Sequence, residues 1–281
     1  MRTIDVGKIT EAVAKLAMDA NYYLAQDIYN ALDAGRADEE SPLGREILGQ
    51  LVKNACIAKE KAVPICQDTG MAVVFMEIGQ DVHLVGGSLE DAVNAGVAKG
   101  YGEGYLRKSL VDDPLFARRN TGDNTPAVLH TALVSGDKVK IALAPKGFGS
   151  ENMSALKMQV PAEGVQGVKK FVVDTVAAAG SNPCPPIVVG VGIGGTIEKA
   201  AYLAKKALLR PVDRRNPHPD YARLEEELLE LVNRTGVGPQ GLGGTVTALG
   251  VNVEYFPAHI AGMPVAVNIS CHATRHAEIE L

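Results

Sequence analysis

No stretch of this chain stays apolar for the roughly 20 residues that a membrane span requires, so no membrane association is expected. The opening MRTIDVGKIT lacks the apolar core and small-residue cleavage site of a secretory leader, and a cytoplasmic location follows as the expectation. Positive charge is also short. Against 33 Asp and Glu stand 28 Lys and Arg, for a formal net charge of -5, and the basic residues are scattered rather than gathered into a stripe. Nucleic acid is therefore not an expected partner. Four widely spread cysteines are too few for a disulfide scaffold, which a reducing cytosol disfavours in any case. There is no internal repeat, no low-complexity tract and no change of composition to mark a boundary, so residues 1–281 read as one domain. With 46% hydrophobic and 22% charged residues, a sizeable core is expected.

What is present is periodic. Residues 7–34 and 44–62 carry apolar side chains at three- and four-residue intervals (Val13, Leu16, Ala17, Ala20; Ile47, Leu51, Ala55, Ile57) and are predicted helices. MAVVFMEIG at 71–79 is a predicted strand, followed by a helix over 88–100 that starts near Ser88 with Glu90 and Asp91 in its first turn. Residues 101–126 read as a long polar loop. AVLHTALVSGDKVKIALAP at 127–145 predicts two strands joined as a hairpin by a Ser-Gly-Asp turn. Helices over 164–180, 195–209 and 219–234 alternate with strands at 187–193, near 245–254 and at 264–270. The fold class expected is α+β, with mixed sheets flanked by helices and a helical N-terminal region.

Three cysteines fall at predicted strand ends beside turn residues: Cys66 in PICQDTG, Cys184 in SNPCPP and Cys271 in NISCHATRH. Prolines on both sides of Cys184 remove backbone donors and stiffen the loop, and Gln67-Asp68 puts polar groups where a space-filling cysteine would want apolar ones. Three loop thiols suit a [4Fe–4S] cluster with one iron left free. Cys56, inside the helical pattern, reads as a buried small hydrophobe. Zinc competes through Cys271, His272 and His276, but no Cys-x2-Cys pair accompanies them.

Gly190, Gly192 and Gly195 in GVGIGGT match a dinucleotide fingerprint after a strand and before a helix, yet the acidic residue expected about 20 residues on is missing. The glycines fit a tight turn offering N–H groups to a carboxylate or sulfide, or a purely structural turn. KGFGSEN at 146–152 and GPQGLGGT at 238–245 lack the ending of a P-loop, and glycine loops of this kind let backbone approach a small anionic ligand. Asp68, Arg107 and His259 are the candidates for acid–base work and anion binding. The bland alternatives are a solvated Arg107 and a core His259.

Taken in order and at these separations, CQDTG, DNTPA, KGFGSEN, NPCPP, GIGGT and CHATRH resemble the alpha subunits of class I fumarases and L(+)-tartrate dehydratases, through nearly the whole chain. The resemblance implies a [4Fe–4S] cluster held by Cys66, Cys184 and Cys271. It implies substrate contacts from Gln67, Asp68, Arg107 and Gly147, and an Asp68–His259 pair, formed across two alpha subunits, that protonates a departing hydroxyl. It also implies that the chain is one half of the catalytic unit, with a separate beta subunit, an α2β2 assembly and a homodimer contact between alpha subunits. The KGFGS loop departs from single-chain relatives in carrying Phe148 where they commonly have glycine.

Elimination of water from a 2-hydroxy dicarboxylate needs a polarised C–O bond, a proton for the leaving group and a base for the C3 proton. The motifs here supply the first two. The implied reaction is reversible hydration of fumarate to (S)-malate, with tartrate dehydration to oxaloacetate as the alternative. An iron–sulfur electron carrier would want a fourth thiolate, and a nucleotide-binding protein would rest on GVGIGGT alone.

Overall fold

Asp5 closes a short strand, β1 (Arg2–Asp5), and caps the helix that follows, α1 (Val6–Tyr22): its carboxylate accepts from the Gly7 N–H at 2.8 Å. From this start the computed structural model describes all 281 residues. They form helices and mixed sheets of an α+β protein, and no helix is long and apolar enough to cross a membrane. The chain divides into two compact units, one of Met1–Leu24, Ile57–Phe148 and Arg275–Leu281, the other of Ala25–Cys56 and Gly149–Thr274.

In the first unit α1 buries Ile9, Val13, Leu16 and Ala17 along one face, against helix α4 (Leu89–Glu103) and a four-stranded sheet. Helix α4 begins as the sequence predicts, with the Ser88 hydroxyl accepting from Asp91 N–H and two acidic residues in the first turn. The sheet runs β10 (Ala277–Glu280), β5 (Val139–Lys146), β2 (Met71–Gly79), β4 (Val128–Val134). A short β3 (Val82–Val85) pairs in parallel with β1.

Two expectations change here. The helix predicted over 7–34 is broken: Tyr23 turns extended (φ -116, ψ 105) after α1, and a new helix, α2 (Gln26–Asp38), starts in the second unit. Neither glycine nor proline marks the break in YYLAQ, so the sequence carries no stop signal. The hairpin over 127–145 is also absent. Both strands form, but β2 lies between them, parallel to β4 and antiparallel to β5. The Ser135-Gly136-Asp137 turn crosses the end of β2, held by Gly79 N–H on Lys138 O, Gln80 N–H on Val134 O and Asp81 N–H on Gly136 O. Ala72 to Met76 are buried without interruption, whereas β4 is half exposed. Burial of the more apolar strand decides which one takes the centre.

The second unit holds a sheet in the order β6 (Ala155–Gln159), β9 (Met263–Ser270), β7 (Ile187–Gly194), β8 (Ala248–Phe256). Strand β7 is buried at every position. Its Ile187, Val189 and Val191 share a core with helices α6 (Gly164–Ala179) and α8 (Pro219–Asn233). The alternate residues Gly190 and Gly192 face helix α7 (Ile197–Ala207), where an added Cβ would come within 2.1 Å of the Ala204 and Ala200 carbonyl oxygens. Gly190 and Gly192 thus serve close helix–strand packing, while Gly194 and Gly195 take left-handed backbone (φ 90 and 67) in the turn into α7. Helix α3 (Pro42–Lys61) turns Ile47, Leu48, Ala55 and Ala58 inward and Cys56 outward. Cys56 is therefore exposed, not a core filler, because it lies one position off the buried face; its Sγ is 3.7 Å from the Tyr29 hydroxyl.

Candidate active site

The loop entering β2 carries Cys66, Gln67 and Asp68, and its backbone is clamped from several directions. Three consecutive carbonyls are taken up by side chains of the same unit. Arg275 Nη2 donates to Asp68 O at 2.6 Å. The Tyr101 hydroxyl lies 2.8 Å from Thr69 O and 3.0 Å from Gly70 O, and Asn124 Nδ2 donates to Gly70 O at 3.1 Å. Tyr101, Asn124 and Arg275 are all buried. Burial raises the Tyr101 phenol well above its ordinary range, so it stays a neutral donor.

With its main chain fixed, Asp68 presents its carboxylate to neighbouring amides. Oδ1 accepts from Gly70 N–H at 3.1 Å and Oδ2 from Phe148 N–H at 2.9 Å. Gly147 passes so near that a Cβ there would sit 3.2 Å from Asp68 Oδ2. The KGFGS contact with Asp68 thus uses backbone and does not depend on the half-exposed Phe148 ring. Arg107, exposed in the long loop after α4, reaches back to donate to Gln67 Oε1 at 2.6 Å, while its carbonyl accepts from Thr69 Oγ1 at 2.9 Å. Gln67, Asp68, Arg107 and Gly147 are therefore neighbours on one rim of the first unit.

That long loop is ordered by its own polar side chains. Asp113 accepts from the N–H groups of Leu115, Phe116 and Ala117, led by Ala117, and these bonds hold its carboxyl below the usual range. Asn124 binds Ser109 N–H at 2.7 Å. A bridge between Val111 and Asn120 is its one ladder contact.

In the second unit Cys184 and Cys271 sit on adjoining loops. The Cys184 carbonyl accepts from His272 N–H at 3.3 Å and lies 3.0 Å from His272 Nδ1. The same Nδ1 lies 3.3 Å from Gln240 Nε2. The Pro185 carbonyl is bonded by Gln240. Cys184 and Gln240 both take left-handed backbone (φ 55 and 53), a conformation held here by these bonds.

The GPQGLGGT loop does bind an anion, but one of the chain's own. Glu39, wholly buried, accepts from the N–H groups of Ser41, Thr245 and Val246 at 2.8 to 3.0 Å. Gly244 is required beside it, since a Cβ would come 2.6 Å from Glu39 Oε1. Burial alone would raise the Glu39 carboxyl, and the amide donors outweigh it and hold the carboxyl low.

His259 lies in the exposed segment after β8, next to Ile260, which is 92% exposed. The core-histidine alternative fails because that segment leaves the sheet. Its Nδ1 accepts from Ala261 N–H at 3.1 Å, which turns Nε2 into the available nitrogen.

The donor chemistry of the three strand-end cysteines suits a thiolate-bound cluster: none is in a disulfide, Cys66 and Cys271 are part-exposed, and Cys184 is exposed. No group of three or more Cys, His, Asp or Glu side chains is close enough to hold a single metal ion. Of the residues that build the site, Tyr101 lies outside the motif words, Arg275, Asn124 and Gln240 lie inside CHATRH, DNTPA and GPQGLGGT without being candidates themselves, and His272 enters the sequence reading only as a zinc ligand.

The family described as Fumarate hydratase (Fumerase) matches residues 10–280. A relative from Methanocaldococcus jannaschii, named "Putative L(+)-tartrate dehydratase subunit alpha", is 43% identical over 275 residues, covering 96% of each chain. L(+)-tartrate dehydratase subunit alpha of Escherichia coli (strain K12) is 34% identical over 276 residues, covering 98% of this chain and 91% of its own. The protein of the same name from Shigella boydii serotype 4 shows the same identity and coverage.

Proposed function

The chain belongs to the fumarate hydratase family of hydro-lyases, and from that premise we propose that it is the alpha subunit of a two-subunit, cytoplasmic iron–sulfur hydro-lyase. Residues 1–281 act as one functional half. The observation that carries the reading is the convergence of Gln67, Asp68, Arg107 and Gly147 on one rim, beside a strand-end cysteine.

Cys66, Cys184 and Cys271 hold a [4Fe–4S] cluster, which when bound supplies a Lewis-acidic iron that polarises the C–O bond of a 2-hydroxy acid. The remaining work falls to side chains. Arg107 clamps a substrate carboxylate, oriented by Gln67 Oε1. The Gly147 backbone lies close enough to Asp68 for a small substrate to touch both. Asp68 delivers the proton to the departing hydroxyl. His259, on an exposed segment with Nε2 available, exchanges that proton with the Asp68 of a second alpha subunit, so a homodimer contact is part of the site. The second carboxylate clamp and the C3 base come from a beta subunit in an α2β2 assembly, in keeping with relatives named as alpha subunits.

Two substrates satisfy this chemistry. Fumarate and (S)-malate are the reading of the motif set, and L(+)-tartrate is the reading favoured by the names of the relatives. The deciding experiment is anaerobic reconstitution of the chain with its beta subunit, followed by initial rates on malate, fumarate and L(+)-tartrate. Turnover of at least one is expected, and the larger kcat/KM assigns the substrate. Loaded enzyme that dehydrates none of them overturns the proposal.

A further inference from the structure

Arg275 is 4% exposed, and its guanidinium is only partly satisfied. Nη2 donates to Asp68 O at 2.6 Å and Nη1 to Asn21 Oδ1 at 3.1 Å, while Nε has no partner. A buried guanidinium ordinarily takes a carboxylate in a two-pronged pair. Asp68 is at hand to provide one and does not: its two carboxylate oxygens are occupied by the Gly70 and Phe148 amides. Arg275 instead grips the same residue by its carbonyl. Gly147 lies beside both groups, since an added Cβ would be 3.2 Å from Asp68 Oδ2 and 3.9 Å from Arg275 Nη2. Asn21 anchors the other prong from a wholly buried position, with its Nδ2 on Ala17 O at 2.9 Å and its carbonyl accepting from Ile65 N–H.

We infer that Arg275 is a positioning residue for Asp68. It fixes the peptide plane behind Asp68 so that the carboxylate points at the KGFGS amides and the rim rather than folding inward into a static ion pair. Holding the carbonyl keeps the guanidinium beside Asp68 while the carboxylate stays on the Gly70 and Phe148 amides. The role of the positioned carboxylate rests on the hydro-lyase reading; the positioning itself does not.

The test uses the isolated chain for geometry and the reconstituted two-subunit enzyme for catalysis. In the isolated chain, hydrogen exchange is read at the Gly70 and Phe148 amides. Arg275→Gln is expected to speed exchange at both by about tenfold, the scale of one lost charge-assisted hydrogen bond, with β7 amides unchanged. Arg275→Lys keeps a charged donor for the carbonyl and is expected to recover most of the protection. In the loaded enzyme Arg275→Gln lowers kcat by about tenfold or more and moves KM by less than about twofold, since Arg275 acts through Asp68 and not on substrate. Should Arg275→Gln fail to fold, Asn21→Ala removes one anchor and leaves the charge, and the same two amides are expected to exchange faster. Unchanged protection at Gly70 and Phe148 in the variant that folds overturns the inference, as does a rise in KM with kcat intact, or a Lys variant no better than Gln. A wild-type enzyme that turns over no substrate would count against the hydro-lyase reading while leaving the exchange result to stand.

Discussion

Gln240 donates from both its backbone and its side-chain nitrogen to a single oxygen, the Pro185 carbonyl, at 2.7 Å each. One residue in left-handed backbone thereby pins the loop that carries Cys184.

Gln240→Ala keeps the unfavourable φ of 53 and loses the side-chain bond, and should cost about 1 kcal/mol or somewhat more in urea unfolding. Gln240→Gly loses the same bond but removes the left-handed strain, worth roughly 1 kcal/mol. The glycine variant is therefore expected to be the more stable of the two. The reverse order would show that the Gln240 conformation is not strained.

Glu39 predicts an acid limb in the stability curve. Its folded carboxyl sits below the ordinary glutamate value of about 4.3 because three amides outweigh the effect of burial. The stability it contributes is present above that value and is lost as pH falls through the lower, folded one. Glu39→Gln should cost about 1–3 kcal/mol at neutral pH, since an amide NH2 would face N–H donors, and should flatten the decline below about pH 4.3. A variant with an unaltered acid limb would assign the decline to other carboxylates.

Gly192→Ala is expected to destabilise the chain by several kcal/mol, because its Cβ would meet the Ala200 carbonyl at 2.1 Å and α7 would have to lift from β7. Titration calorimetry with NAD should register no binding to the wild type. Tight dinucleotide binding would return GVGIGGT to its fingerprint reading.

Much of this architecture is legible in local pattern. The α1, α3, α4, α6, α7 and α8 segments and strand β2 follow from apolar spacing and from caps such as Ser88. The rim residues Gln67, Asp68, Arg107 and Gly147 are legible only as motif words, because their proximity depends on how β2 and β5 pair. What the sequence hides is long range. Arg275 reaches Asp68 across 207 positions, and Gln240 reaches Pro185 across 55. The place of β2 between β4 and β5 is hidden for the same reason: a Ser-Gly-Asp turn promises a hairpin, and only competition for burial reveals the inserted strand. Cys56 shows the limit of helical periodicity, where one position, about 100° of rotation, separates core from solvent.

Asp68→Asn and His259→Asn should each lower kcat of the reconstituted enzyme by on the order of 100-fold, the usual scale for losing a positioned proton donor, with iron content unchanged. If His259→Asn keeps its cluster and turns over normally, the exposed imidazole has no part in proton transfer.

The central claim is that this chain holds a three-thiolate cluster and needs a second subunit to work. The most direct measurement is anaerobic reconstitution with iron and sulfide, with iron and sulfide counted per chain and malate and L(+)-tartrate turnover assayed with and without the beta subunit. Expected are about four irons per chain, one of them labile, lost in Cys66→Ser, Cys184→Ser and Cys271→Ser and kept in Cys56→Ser, with activity only in the mixture. Stoichiometric zinc without sulfide, or full hydro-lyase activity from the chain alone, would contradict it.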